Sequence, residues 1–437
     1  MALKRTLAVL TSLIVLGVSA ELLGLAAFYI DTGTLFYGGE KSYPDVLPTP
    51  DDRLVPGEAV HPYFGFTHHP GTPFDIPEAL RAGTTIPARL KTNNFGFASP
   101  VDYPVRRSSE RQFLVGIFGG SVAVWFCQIG AARLIERLRS HSYFAGRDIL
   151  LLCFGHEGYK QPQQALVLGY FLSLGQPLDL VVNIDGFNEV ALGALNQERG
   201  LDSSMPSAQH LEALINVVNQ ATLTPDKLSS LAAIFENRRR LIGLRERIRT
   251  NRFASVNFVL DRYYTVVRNR YVQELGRFNR LPSNPLDNTF VQVAPPLDSR
   301  DRSQALAGIA STWANASALM HDMLVRRNGA YVHVLQPNQY YGGRTFSVAE
   351  AKVAVNDRSP YRSSVKEGYP LLIEAGKTLR ARSISFFDAT GAFDRHSAAV
   401  YIDDCCHYTK VGNEILADFV AASILDSPGP WRGSGGP

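Results

Sequence analysis

Apolar positions fall into three regimes along the chain. Thr6 to Ile30 is a run of 25 residues whose only charged side chain is Glu21. As a helix it is long enough to cross a bilayer with some tilt. Residues 31–110 are rich in Pro, Gly and Asp and hold no sustained period. They predict an ordered but irregular lead-in. Its aromatic and turn residues, His61-Pro-Tyr-Phe-Gly65 and Asn94-Phe-Gly-Phe97, are expected to pack on the surface of the domain that starts at residue 111. There the pattern becomes apolar run, loop and helix, repeated. The runs are Phe113–Phe118, Asp148–Phe154, Leu178–Ile184, Ala330–Leu335 and Ser383–Phe387. Helical patterns succeed the first run to about Arg139, start again near Gln161, and cover Ser303–Arg327 and Thr409–Leu425.

Apolar strands alternating with helices predict a parallel sheet covered on both faces. The fold class is therefore α/β: a three-layer α/β/α sandwich on a five-stranded, mostly parallel sheet, occupying residues 111–426. Ligands in such sheets bind beyond the carboxyl ends of the strands. Gly119–Ser121, Gly155–Gly158 and Gly186–Asn188 each fall at that edge. A largely helical insertion, 190–302, separates the third and fourth strands, and the Pro/Gly-rich tail 427–437 is expected to be disordered.

Charge refines this picture. Charged residues make up 19% of the chain and the net charge is +4, so a nucleic-acid partner gains no support. The basic residues concentrate in the insertion, at Arg238, Arg239, Arg240, Arg245, Arg247 and Arg249. Two readings of this cluster stand level: a contact for anionic lipid headgroups or an acidic polymer, and a solvated helix face partly paired to acids. Lys4 and Arg5 precede the apolar run 6–30, which places the N-terminus in the cytoplasm and the rest across the inner membrane, in the periplasm. Residues 1–30 are then a single-pass anchor. A cleaved signal peptide is the alternative, since Val18-Ser19-Ala20 resembles a cleavage site. An intramembrane carboxylate usually faces protein or an interface, so Glu21 is expected to mark a partner helix, as a membrane-protein partner would supply.

Cysteine and histidine usage adds little. Cys127, Cys153, Cys405 and Cys406 are expected to be buried free thiols, although an exported domain is able to oxidise them. No Cys/His cluster has zinc-ligand spacing, and His61, His68 and His69 have no acidic or cysteine partners at ligand spacing, so neither a metal nor a cofactor is expected.

The chemistry lies at two distant points. Phe113-Leu-Val-Gly-Ile-Phe-Gly-Gly-Ser121 delivers a serine hydroxyl to a sheet edge, and Asp404-Cys-Cys-His407 places a carboxylate three residues before an imidazole. A serine needs a base to take its proton, and an imidazole needs an orienting acid. Asp403 is the competing orienter. His156, beside the second glycine cluster, is read as a surface histidine before a substrate contact.

Four blocks in order resemble those of the SGNH (GDSL esterase/lipase) hydrolases, membrane-anchored bacterial type. They are Phe118-Gly-Gly-Ser121, Phe154-Gly-His-Glu-Gly-Tyr159, Asp185-Gly-Phe-Asn-Glu189 and Tyr401-Ile-Asp-Asp-Cys-Cys-His407. Asn94-Phe-Gly-Phe97 resembles the lead-in of anchored members. The resemblance covers residues 90–190 and 330–425, but not the insertion. It departs from the family at Gly120, where an aspartate often precedes the serine, and at Glu189, where aspartate is usual. It implies Ser121, His407 and Asp404 as a catalytic triad, with an oxyanion hole from the Ser121 and Gly158 amides and the Asn188 side chain. The implied activity is hydrolysis of O-acyl esters, O-acetyl esters among them, on an envelope glycan or lipid. An O-acyltransferase using the same triad and a non-catalytic subunit of a membrane complex remain as alternatives. An α/β-hydrolase fold is disfavoured, because it sets several strands before its serine.

Overall fold

The computed structural model describes residues 2–33, 35–37, 58–211, 214, 224–282 and 301–433. The chain divides into two compact units, Met1–Leu54 with Asn219–Phe290, and Val55–Val218 with Val291–Pro437.

In the first unit a helix runs from Ala2 to Thr32, and its stretch Arg5–Ile30 has a mean hydropathy of 2.1. Its first two-thirds expose Leu7, Leu13, Ile14 and Leu16. Helices Pro225–Thr250 and Ala254–Arg280 pair through Leu241, Leu244, Ile248, Tyr264 and Val267. The first of them starts with Thr224, whose hydroxyl accepts from the Lys227 amide at 3.2 Å, and with proline at the position where its missing N–H costs nothing. The second has no such cap of its own, because Phe253 offers no side-chain acceptor. Glu21 supplies it: its carboxylate accepts from the Ala254 amide at 2.5 Å, the Ser255 amide at 3.1 Å and the Ser255 hydroxyl at 2.6 Å. Gly24, one turn on, makes room for this approach. A Cβ there would lie 2.4 Å from the Ser255 nitrogen. The helix that Glu21 meets thus belongs to the same chain.

The second unit begins with two antiparallel hairpins, β1 (Glu58–His61) with β2 (Gly65–His68), and β3 (Pro73–Asp75) with β4 (Arg89–Lys91). This part of the lead-in is more than a surface covering. Phe64, Phe66 and Phe97 are fully buried in the main core: the rings of Phe64 and Phe97 interlock with Phe154, Tyr170 and Phe171, and Phe66 packs on Tyr159.

The main sheet consists of β5 (Gln112–Gly119), β6 (Asp148–Cys153), β7 (Leu180–Asp185), β8 (Ala330–Leu335) and β9 (Phe386–Asp388), in the order β6-β5-β7-β8-β9, all parallel. β5 and β7 are buried on both faces, which is why Phe113–Phe118 is a continuous apolar run and why the polar Asn183 and Asp185 of β7 are hydrogen-bonded to one another. Helices Gln163–Ser173, Phe187–Glu198, Arg302–Val325 and Arg362–Ala381 pack together as one layer. Ala131–Arg139 and Lys410–Asp426 pack as the other. This is the 2-1-3-4-5 order of flavodoxin-like sheets, whose switch point falls beside the first strand. The residues just after β5 therefore open onto the crevice.

Three expectations change. The insertion 190–302 divides: Phe187–Glu198 belongs to the sheet unit, and the two long helices belong to the other. The tail is ordered through Gly433, because Trp431 is 1% exposed against Phe113, Tyr143 and Phe144; residues 434–437 lie outside the described residues. Cys127 and Cys153 form a disulfide with Cα atoms 6.1 Å apart, while Cys405 and Cys406 are free.

Candidate active site

Ser121 is the first residue of helix Ser121–Trp125, immediately beyond β5. The connection turns sharply. Gly119 has φ +146°, and a Cβ on it would come 2.1 Å from the Ile184 carbonyl. Ser121 sits 8% exposed at the sheet's carboxyl edge.

His407 comes from the loop before helix Lys410–Asp426. Its Nε2 lies 2.8 Å from Ser121 Oγ, and its Nδ1 lies 2.5 Å from an oxygen of Asp403. The expected orienter, Asp404, is not in this chain of contacts: its carboxylate accepts from the Asn356 amide at 2.6 Å. The reason is the local turn. Asp403 Oδ1 accepts from the backbone amides of Cys405, Cys406 and His407 at 3.0, 3.0 and 3.2 Å, which folds the loop so that Oδ2 faces the imidazole four residues on. Side chains from the other side fix the loop: Tyr340 donates to the Asp404 carbonyl, Gln339 to that of Asp403 and Asn338 to that of Cys405.

The electrostatics arise from this pairing. Burial alone pushes the His407 pKa down, but the hydrogen bond to Asp403 and its charge outweigh that and leave it above the usual imidazole value. Burial pushes the Asp403 carboxyl up, and the His407 bond, its charge and the backbone donors bring it below the usual carboxylate range. Cys406, buried next to Ser121, has its thiol pushed up, first by burial and then by Cys405 and Asp403.

Asn188 stands at the start of helix Phe187–Glu198. Its amide nitrogen donates to the Tyr159 carbonyl at 2.8 Å and lies against Gly120, where a Cβ would come within 2.1 Å of it. Any side chain at position 120, aspartate included, would displace this amide. Gly158 has φ +74°. Among the described residues the Ser121 and Gly158 amides have no protein acceptor. The second departure also has a local role. Glu189 is the third residue of the Asn188 helix and accepts from the amides of Gly186 at 2.8 Å and Gln161 at 2.9 Å, tying the asparagine block to the glycine block. Burial, then the charge of Asp185, lifts its pKa to about 8.

Behind these blocks lies a second Ser–His–Asp series. Ser317 Oγ is 2.8 Å from His333 Nδ1, and His333 Nε2 is 2.7 Å from Asp185, which also accepts from Trp313 Nε1 at 2.7 Å. Ser317 and His333 are fully buried and Asp185 is 1% exposed, so this series holds the framework and meets no substrate. His156, expected at the surface, is also buried at 1%. It belongs to a Glu/His group with Glu58, His68, Glu157 and His210 that sequence spacing did not reveal, because its members come from four separate stretches of chain.

No protein-family model matches the chain, and no curated protein matches its sequence. Among solved structures it is similar to a GDSL-like lipase from Bacteroides thetaiotaomicron, at 9% identity and TM-score 0.34, covering 73% of this chain and 91% of that one. An acetyl xylan esterase aligns at 10% and 0.35, covering 71% and 100%. A lipase/acylhydrolase from Enterococcus faecalis aligns at 11% and 0.31, covering 71% and 95%. Similarity at this level transfers no function.

Proposed function

We propose that the protein is a serine ester hydrolase of the SGNH type, with Ser121, His407 and Asp403 as its triad. The observation that carries this reading is the imidazole of His407, placed between the Ser121 hydroxyl at 2.8 Å and the Asp403 carboxylate at 2.5 Å. Ser121 Oγ attacks the ester carbonyl carbon as its proton passes to His407 Nε2. The C–O bond to the alcohol breaks, and the alcohol leaves with that proton. Water, deprotonated by the same nitrogen, then releases the acid and restores the serine. The amides of Ser121 and Gly158 and the side-chain amide of Asn188 receive the oxyanion.

The substrate we assign is an O-acylated envelope glycan or lipid, met on the outer side of the membrane that holds residues 6–30. Support for that side comes from Lys4 and Arg5 before the apolar run and from the Cys127–Cys153 disulfide, a bond that persists in oxidising compartments. The arginine-rich helices are read as contacts for anionic headgroups. Acid pairing accounts for part of the cluster: Arg239 and Arg240 share Glu236, and Arg249 binds Glu246. Among the described residues Arg238, Arg247 and Arg252 meet no carboxylate.

The test is hydrolysis of a chromogenic acetyl ester by the purified chain. Ser121→Ala is expected to lower turnover by about 10⁶-fold, and a fluorophosphonate probe is expected to label the parent chain and not the variant. Equal rates in the two would overturn the reading.

A further inference from the structure

The Glu/His group beside the glycine block is built for something other than proton transfer to an ester. Glu58 and His68 stand on the β1–β2 hairpin, and His156 stands three residues beyond β6. One ligand atom from each of the three lies within 4.8 Å of the others. Two more donors adjoin them. Glu157 Oε2 is 3.1 Å from His68 Nε2 and 3.6 Å from His156 Nδ1, and His210 Nδ1 is 2.9 Å from Glu58 Oε1.

His156 supplies the observation that points to a ligand. Its Nδ1 lies 3.0 Å from the Glu157 carbonyl, and its buried Nε2 has no hydrogen-bond partner among the described residues. Nδ1 also lies 4.0 Å from Glu58 Oε1 and 3.6 Å from Glu157 Oε2, so this edge of the ring faces the carboxylates of the group.

We propose that Glu58, His68 and His156 form a binding site for a divalent transition-metal ion, with Glu157 and His210 as adjoining donors. Mixed imidazole and carboxylate ligands favour zinc-type ions over calcium or magnesium, which take oxygen ligands. On binding, His68 Nε2 exchanges Glu157 for the ion. The ion would join the β1–β2 hairpin to the glycine block, two residues from the Gly158 amide. This site does not depend on the ester-hydrolase reading.

The experiment is calorimetric titration of the chelator-stripped full chain in detergent with Zn²⁺, and visible absorption of the Co²⁺-loaded chain. One ion per chain is expected, with a Co²⁺ spectrum showing imidazole and carboxylate ligation. Glu58→Gln and His68→Gln lie at the accessible side of the group and are each expected to weaken Zn²⁺ by at least about tenfold. Circular dichroism verifies that both variants are folded. His396→Gln, outside the group, and Ser121→Ala are expected to bind as the parent does, which separates this test from that of the triad. Absence of saturable binding, or binding that neither Glu58→Gln nor His68→Gln weakens, would overturn the proposal.

Discussion

In the proposed triad the imidazole of His407 sets the pH response, and its neighbours decide the sign. It acts as a base only when neutral, and Asp403 holds its pKa above the ordinary 6.5. The acidic limb of kcat/KM is therefore expected to have its midpoint above pH 6.5, with activity falling as pH falls through it. Stability runs the other way. A group whose folded pKa exceeds its unfolded value stabilises the fold fully below about pH 6.5, and that contribution is lost as pH rises through the raised value. Asp403→Asn removes the cause, so it is expected to move the limb down and lower kcat by about 10⁴-fold, since the ring loses its held tautomer. Asp404→Asn, whose carboxylate meets Asn356 instead, is expected to stay within about tenfold of the parent. Steady-state kinetics on the two variants decides between the carboxylates. Spacing along the chain could not. Both acids precede His407 closely, and the choice is made by three backbone amides that bind Asp403 only once the loop has closed.

At the scale of elements, the readable part of the sequence was the part where burial is two-sided. Ala330–Leu335 matches β8 at both ends, and Phe113–Phe118 lies inside β5, because strands covered on both faces are apolar except where a buried partner meets a polar side chain, as Ser317 and Asp185 meet His333. Helix Arg362–Ala381 was not readable. Pro370 stands inside it and Gly368 a residue or two before, both helix-breaking signals overridden by packing: a Cβ on Gly368 would strike Val190 at 2.5 Å. The blocks that carry the site were legible as turns, but the reason for each glycine was not. Gly120 gives a test. Gly120→Ala is expected to push the Asn188 amide from its place and cost about 100- to 1,000-fold in kcat, the usual loss for one oxyanion donor. Because both changes remove the same donor, adding Asn188→Ala should cost little more, a non-additivity that a double-mutant cycle measures. Glu21 offers the parallel test in the other unit. Glu21→Leu leaves the Ala254 and Ser255 amides uncapped. A lost cap is worth about 1 kcal/mol, so hydrogen exchange at those two amides should quicken roughly fivefold while the helix Lys410–Asp426 is unchanged.

For the whole molecule, the proposed function turns on which side of a membrane the sheet unit folds, and the four cysteines test it. An apolar helix at the N-terminus is common to an anchor and a signal peptide, so length and hydropathy leave the matter to charge and redox state. Cys127 lies just past the nucleophile helix and Cys153 ends β6, and no sequence rule pairs positions 26 residues apart; the sheet does so by setting β6 beside β5. The pair closes a loop of moderate length, and by chain entropy such a link is worth about 3 kcal/mol. Cys405 and Cys406 remain as thiols, and Cys406 is buried and held protonated. Chain purified from the membrane fraction and denatured without reductant is therefore expected to titrate two thiols, and four after reduction. Cys127→Ala is expected to leave three titratable thiols and to lower the melting temperature, whereas Cys405→Ala leaves one and changes it little. A count of four before reduction would mean that the pair stays reduced in the cell. It would remove the oxidative support for an outward-facing domain, and with it the choice of an envelope ester over one made in the cytoplasm.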